Sequence, residues 1–302
     1  MLQPSAALDQ DELTARLQRT FSSPSYQPPV LPAAAVEILQ LAQRPDVTFE
    51  QVAPALERDP VLTARVVSVA QSAAYSSRSP IQTLHQAAIR LGVKGVRDLV
   101  LEAALHLKVF RAPGHDLAMA RLARHSSATA HVIRVVCRRT RVEAEHAFLC
   151  GLLHDVGFAA ATLALAEDPV LRRTPFEELA PVIDEAHPQA SALLTRAWGL
   201  PASIQQLVAT HHEVRVHGRP ELLNAALIVA EQLVWEAGAG LEPPPPDAGP
   251  LSTRMPEPPL SGLDANWTGL VEQARQALSM DELALCALRA EAFEVVRRSG
   301  PR

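Results

Sequence analysis

The sequence predicts an all-α protein. Apolar residues recur at helical spacing along most of the chain, helix start and stop signals punctuate it at short intervals, and no stretch keeps the period-two alternation of a half-buried strand. With 302 residues, 48% of them hydrophobic, the chain has enough core for one large domain or two modest ones.

The elements follow in order. Asp9 to Leu17 has a short helical pattern, and the prolines and serines from Phe21 to Pro32 predict an extended connector. Phe49, Val52, Ala53 and Leu56 lie at i, i+3, i+4 and i+7, one face of an amphipathic helix with Thr48 as its N-cap. Asp59-Pro60 is an N-cap followed by proline at the first helical position, and Val61, Leu62, Val66 and Val69 form the buried face. Ser76 to Pro80 reads as a turn. Thr83-x-x-Gln86 has the form of a capping box opening a helix that should stop at Gly92, with Val96, Leu99, Val100 and Ala103 continuing in the next. Pro113-Gly114 marks a boundary, and a long helix is expected from Leu117 to Cys137.

Next comes Phe148-Leu-Cys-Gly-Leu-Leu-His154-Asp155-Val-Gly157, an apolar run ending in two side chains able to bind metal. Gly157 is expected to take a positive φ just beyond it. Thr174-Pro175-x-Glu177 predicts another capping box. Trp198-Gly-Leu-Pro201 ends one helix and starts another carrying His211 and His212 near its C-terminus; Leu222 to Trp235 is again helical. Pro243 to Pro246, with Pro250, Pro256, Pro258 and Pro259, predict a loop poor in backbone donors, and a helical pair from Asn266 to Val296 follows.

Composition excludes some functions. A net charge of −5 argues against a nucleic-acid or anionic-membrane binder, which needs clustered Lys and Arg. The basic group Arg134, Arg138, Arg139 and Arg141 reads as a solvated helix end. Cys137, Cys150 and Cys286 form no C-x-x-C pair, so neither a disulfide framework nor a cysteine zinc site is indicated, and a reducing cytoplasm is expected. The N-terminus lacks a signal-peptide pattern, and no stretch reads as approaching the ~20 apolar residues of a membrane span.

The candidate ligands are His125, His154 with Asp155, His187, His211 with His212, and Glu231. Each station is assigned to a different apolar helix, so a bundle could direct them all inward, as helical metal sites do. Imidazoles and carboxylates without thiolates suit a divalent Fe, Mn or Zn ion. His85 and His106 read as surface or packing residues.

This order of ligands resembles the HD superfamily of metal-dependent phosphohydrolases, particularly the HD-GYP cyclic-di-GMP phosphodiesterases. Upstream, Asp59 through Tyr75 and Ile81 through Gly92 look like the N-terminal helices of the HDOD family, the HD-related output domain of bacterial signalling proteins. Glu185 through Pro201 is similar to a later segment of that family. The resemblance implies an HDOD-type helical N-terminal lobe over 31–112 packed on an HD-like helical bundle over 113–240. An extension at 1–30, a proline-rich loop at 241–262 and C-terminal helices at 263–302 complete the expected organisation.

It also implies a regulatory role with other signalling proteins as partners, and leaves open a metal-dependent phosphohydrolase or a nucleotide-binding module using Arg124 or Arg196. Three departures from the HD-GYP pattern weigh on catalysis. Phe158 stands where active members have lysine, Val214-Arg-Val-His217-Gly-Arg-Pro replaces Gly-Tyr-Pro, and Glu231 replaces the final aspartate.

Overall fold

A computed structural model describes residues 9–241, except 45, 73–74, 76–80 and 144, and residues 267–299. The turn expected at 76–80 and the proline-rich loop fall outside the described residues. Helices α1 (Gln10–Ser22), α2 (Ala33–Leu41), α3 (Phe49–Glu57) and α4 (Pro60–Ala70) lead into the long α5 (Leu84–Lys108) and α6 (Asp116–Thr140). Then come α7 (Ala147–Leu153), α8 (Val156–Leu165), a 3₁₀ turn (Leu171–Arg173), α9 (Phe176–Ala197), α10 (Ala202–Ala209), α11 (Leu222–Glu236), α12 (Trp267–Ala277) and α13 (Glu282–Ser299). The fold is all-α. One two-residue ladder, β1 (Arg215–Val216) with β2 (Arg219–Pro220), closes a hairpin that period-two reading is too coarse to find.

Local chemistry explains the helix starts. Asp9 accepts from Glu12 N at 3.2 Å and Asp59 from Leu62 N at 2.9 Å, each satisfying an amide that the first turn leaves without a partner. Thr48 forms a reciprocal capping box with Gln51. Thr83 caps α5 by accepting from Gln86 N, and at Gly92 the helix path breaks, with φ 70°. The capping box expected at Thr174 does not form. The Thr174 hydroxyl donates back to Val170 O, and α9 starts after Pro175, which has no side-chain cap.

Two apolar cores hold the helices. One joins α1–α5 to the first half of α6 and to α7–α10, with Leu56, Leu62, Leu99 and Phe158 among its fully buried members. The other joins the second half of α6 to α11, α12 and α13. A buried polar network crosses between α5 and α6: Glu102 accepts from Tyr75 Oη at 2.9 Å and from Ser127 Oγ at 2.6 Å. Burial of a carboxylate is tolerable here because both hydroxyls satisfy it.

Two expectations change. Residues 147–165 are long and apolar enough to cross a membrane, contrary to the sequence reading, but 94% of that window is buried inside the protein, between α6 and α9. The basic group on α6 is not merely solvated: Arg138 and Arg139 pair with Glu291, which helps seat α13.

Candidate metal centre

The seven candidate ligands come from elements that meet at one buried point. His125 lies on α6, His187 on α9 and Glu231 on α11. His154 is the last residue of the α7 path, and Asp155, with φ −99° and ψ 9°, is the non-helical joint before α8. His211 and His212 differ from expectation: α10 ends at Ala209, and both histidines sit in the turn beyond it. A turn frees their rings from helical spacing, so two adjacent residues can approach the same centre.

Asp155 occupies the middle. Its Oδ2 lies 3.3 Å from His154 Nε2 and 3.5 Å from His125 Nε2, while its Oδ1 lies 3.3 Å from His187 Nε2 and 3.6 Å from His211 Nε2. The two histidine pairs are themselves close, His125 Nε2 to His154 Nε2 at 3.2 Å and His187 Nε2 to His211 Nε2 at 3.1 Å. Glu231 Oε1 is 3.8 Å from His154 Nε2. His212 stacks against His211 with centroids 4.0 Å apart, and its Nε2 is buried without a partner.

The outer nitrogens fix the tautomers. Nδ1 of His125, His154, His187 and His211 faces the carbonyl oxygens of Ala239, Gly151, Asp184 and Val208. A carbonyl only accepts, so each Nδ1 carries the hydrogen, and in a neutral ring Nε2 is left as a lone pair. Around Asp155 Oδ1, two lone pairs and a carboxylate oxygen then face one another with no donor among them, and both Asp155 oxygens and Glu231 Oε1 are buried without hydrogen-bond partners. Such a set needs a proton or a cation at its centre.

Two nitrogens each about 2.1 Å from one ion lie about 3.0 Å apart at a right angle and about 3.4 Å apart at the tetrahedral angle, and the observed pairs, 3.1 and 3.2 Å, fall between. The residues fit a divalent ion.

Electrostatics divides the donor set: His125 and His211 stay neutral, while His154 holds a proton near neutral pH that a metal ion would have to displace. Burial holds His125 and His211 down to about 4, keeping both rings neutral and able to ligate. Burial also disfavours charge on His154, but the Asp155 and Glu231 carboxylates outweigh it and push the ring up to about 9. Burial raises the Glu231 carboxyl.

Two small features let the elements close around this point. Ser191 Oγ donates to the His154 carbonyl at 2.7 Å and accepts from Gly157 N at 2.8 Å, so α9 clamps the joint from both sides. Gly157 does not take a positive φ. Its role is space: a Cβ there would collide with the His187 carbonyl and lie 2.7 Å from Ser191 N.

A family model for the HDOD domain matches residues 28–214, more than half of the chain. This chain belongs to the HDOD domain family. Among solved structures, an HDOD domain protein of unknown function from Geobacter sulfurreducens is 23% identical, with a TM-score of 0.66 over 96% of this chain and 98% of that one. A Shewanella amazonensis protein with the provisional name phosphohydrolase is 23% identical, with a TM-score of 0.63 over 95% of this chain and 98% of that one. A Marinobacter aquaeolei protein, provisionally named for signal transduction, gives 21% and 0.60 over 96% of this chain and 63% of that one. At these identities the likeness is one of fold. No curated protein matches the sequence.

The HDOD chain buries its candidate ligands. His154, His187 and His211 are 0% exposed, Asp155 1%, Glu231 3% and His125 5%. Phe158 packs on His187 from one side, and Trp267 of α12 stands edge-on to His212 with centroids 6.3 Å apart. Arg124 and Arg196 are exposed, and among the described residues neither bonds to the centre. Sequence reading missed Ser191, whose signal is its place one turn after His187. It also missed the Ala239 carbonyl and Trp267, which no local pattern marks.

Proposed function

We propose that this chain is a regulatory HDOD protein that acts through protein–protein contacts, with the His/Asp centre serving as a structural metal core. The observation that carries this reading is burial. A phosphoester substrate must bring its phosphate to the metal, and every candidate ligand except His212 is 5% exposed or less. Phe158 supports it: where a lysine would place a cation to offset phosphate charge, an apolar ring covers His187.

A divalent-ion centre, held by His125, His154 and Asp155 on one side and by His187, His211 and His212 on the other, with Glu231 beside His154, would supply Lewis-acid chemistry. The residues around it hold their tautomers through backbone carbonyls, exclude water and tie five helical segments together. That is what a stabilising core requires.

A metal-dependent phosphohydrolase is the second reading, favoured by the convergence of five imidazoles and the Asp155 and Glu231 carboxylates on one buried centre. Turnover assays on cyclic dinucleotides and nucleotide monophosphates, run beside a crosslinking survey in cell extract, separate the two. The regulatory reading expects specific crosslinked partners and no turnover. Turnover without a stable partner would overturn it.

A further inference from the structure

α1 has few attachments. Of its 13 residues only Leu13 and Leu17, one turn apart, are buried; Phe21 is partly covered, while Gln10, Asp11, Glu12, Gln18 and Arg19 face water. The helix lies on α8 and α9, which carry Phe158 and His187. Its polar ties to the bundle sit at the rim. Arg16 Nη1 donates to Asp168 Oδ2 at 2.9 Å with the two side chains 34% and 31% exposed, and Gln10 Nε2 donates to the Glu178 carbonyl at 3.4 Å. Rim contacts of this kind add little, and an isolated helix of this length is marginal in water.

Firm anchorage begins beyond the helix. Trp198 Nε1 donates to the Pro29 carbonyl at 2.9 Å, and Leu31 is buried in the first core. Pro29 is the seventh residue after Ser22, and the connector between them contains no helix. A released α1 therefore stays within about 25 Å of that anchor. α1 itself shows what its seat accepts: an amphipathic helix with two leucines one turn apart and an arginine at the rim, beside Asp168.

The geometry points to α1 as a releasable strap: it leaves its seat on α8 and α9 while the rest of the fold stays intact, and an amphipathic partner helix of the same pattern takes its place. The seat is both covered and specified by the chain's own helix, which makes α1 an intramolecular competitor. Use of the seat by a partner rests on the regulatory reading above. The release of α1 does not, and neither metal nor turnover enters its test.

Hydrogen exchange of the full chain, read by mass spectrometry, tests the release. Amides of 10–22 should exchange together and at least about 100-fold faster than those of α9, the helix beneath. A fluorescent peptide of residues 9–23 tests the seat. It should bind the full chain carrying Leu13→Glu and Leu17→Glu with micromolar Kd, and wild type at least about tenfold more weakly, because tethered α1 competes at millimolar effective concentration. The same peptide with both leucines changed to glutamate should bind neither. α1 amides that exchange no faster than those of α9 overturn the proposal. So does a double variant that loses its folded circular dichroism spectrum, since α1 is then part of the core, or one that keeps it but binds no peptide. A peptide that binds both chains equally overturns it as well.

Discussion

The Phe158 ring lies on the His187 imidazole, with centroids 4.4 Å apart and planes 35° apart. An aromatic face against a candidate ligand histidine fixes that ring and keeps water away from it, but offers no charge to a phosphoryl group. The contact therefore favours holding an ion over using it. Phe158→Lys should not create phosphodiesterase activity. It should destabilise the fold by about 2–4 kcal/mol, because it places an ammonium group where the ring was 1% exposed. Denaturant titration beside a turnover assay checks both halves.

The joint at His154–Asp155 depends on Ser191. Ser191→Ala removes both hydrogen bonds and leaves the Gly157 amide and the His154 carbonyl buried without that partner, an expected loss of about 2–4 kcal/mol. Ser191→Thr should recover part of it, since the hydroxyl is retained. Gly157→Ala should be worse, because its Cβ meets helix backbone that cannot move aside. Unfolding free energies of the three variants give the ranking.

A histidine away from the centre sets an acid limit. Burial, and after it the nearby Arg134 guanidinium, pushes His131 down to about 3, where its ring packs between Tyr75 and Phe148. The folded ring stays neutral while the unfolded ring takes a proton below its ordinary value of 6.5. The unfolded state therefore binds more protons between those values. Stability is full above pH 6.5 and falls as pH drops toward 3. Asp98 and Glu102, both raised by burial, act in the opposite direction, so the test is a difference between proteins. His131→Phe should lessen the loss between pH 6.5 and 4 by about 1–2 kcal/mol, discounted because the ring is only partly covered. Parallel stability–pH curves would contradict this.

On the structural-metal reading, removing the ion should loosen the structure. Metal ligation in a preformed fold adds its binding free energy to folding. Dialysis against a strong chelator should lower Tm by about 5–10 °C, at about 2–4 °C per kcal/mol for a chain of this order of size. Re-addition of Fe, Mn or Zn should restore it. Differential scanning calorimetry reads the shift directly.

Much of this architecture is written in local sequence. Helical spacing marks α3, α4 and α6, and caps such as Asp59 and Thr83 mark where helices begin, because their partners lie within one turn. The ligands are legible as residue types in order. What brings them together is not. His211 and His212 looked helical because apolar residues precede them, yet the chain leaves α10 at Ala209. Thr174 looked like a cap, yet its hydroxyl turns back to Val170 O. The space required by Gly157 is set by α9, some 30 residues on, and the covering of His212 by Trp267 joins positions 55 apart. Such contacts are decided by packing, which local periodicity does not contain.

Metal content of untagged protein, measured by inductively coupled plasma mass spectrometry beside a phosphoesterase assay on the same preparation, bears most directly on the central claim. A buried metal core in a regulatory protein predicts near-stoichiometric Fe, Mn or Zn, lost in Asp155→Ala, with no turnover of cyclic dinucleotides or nucleotide monophosphates. Wild-type protein that folds without metal, or metal-loaded protein that hydrolyses these substrates, would contradict it.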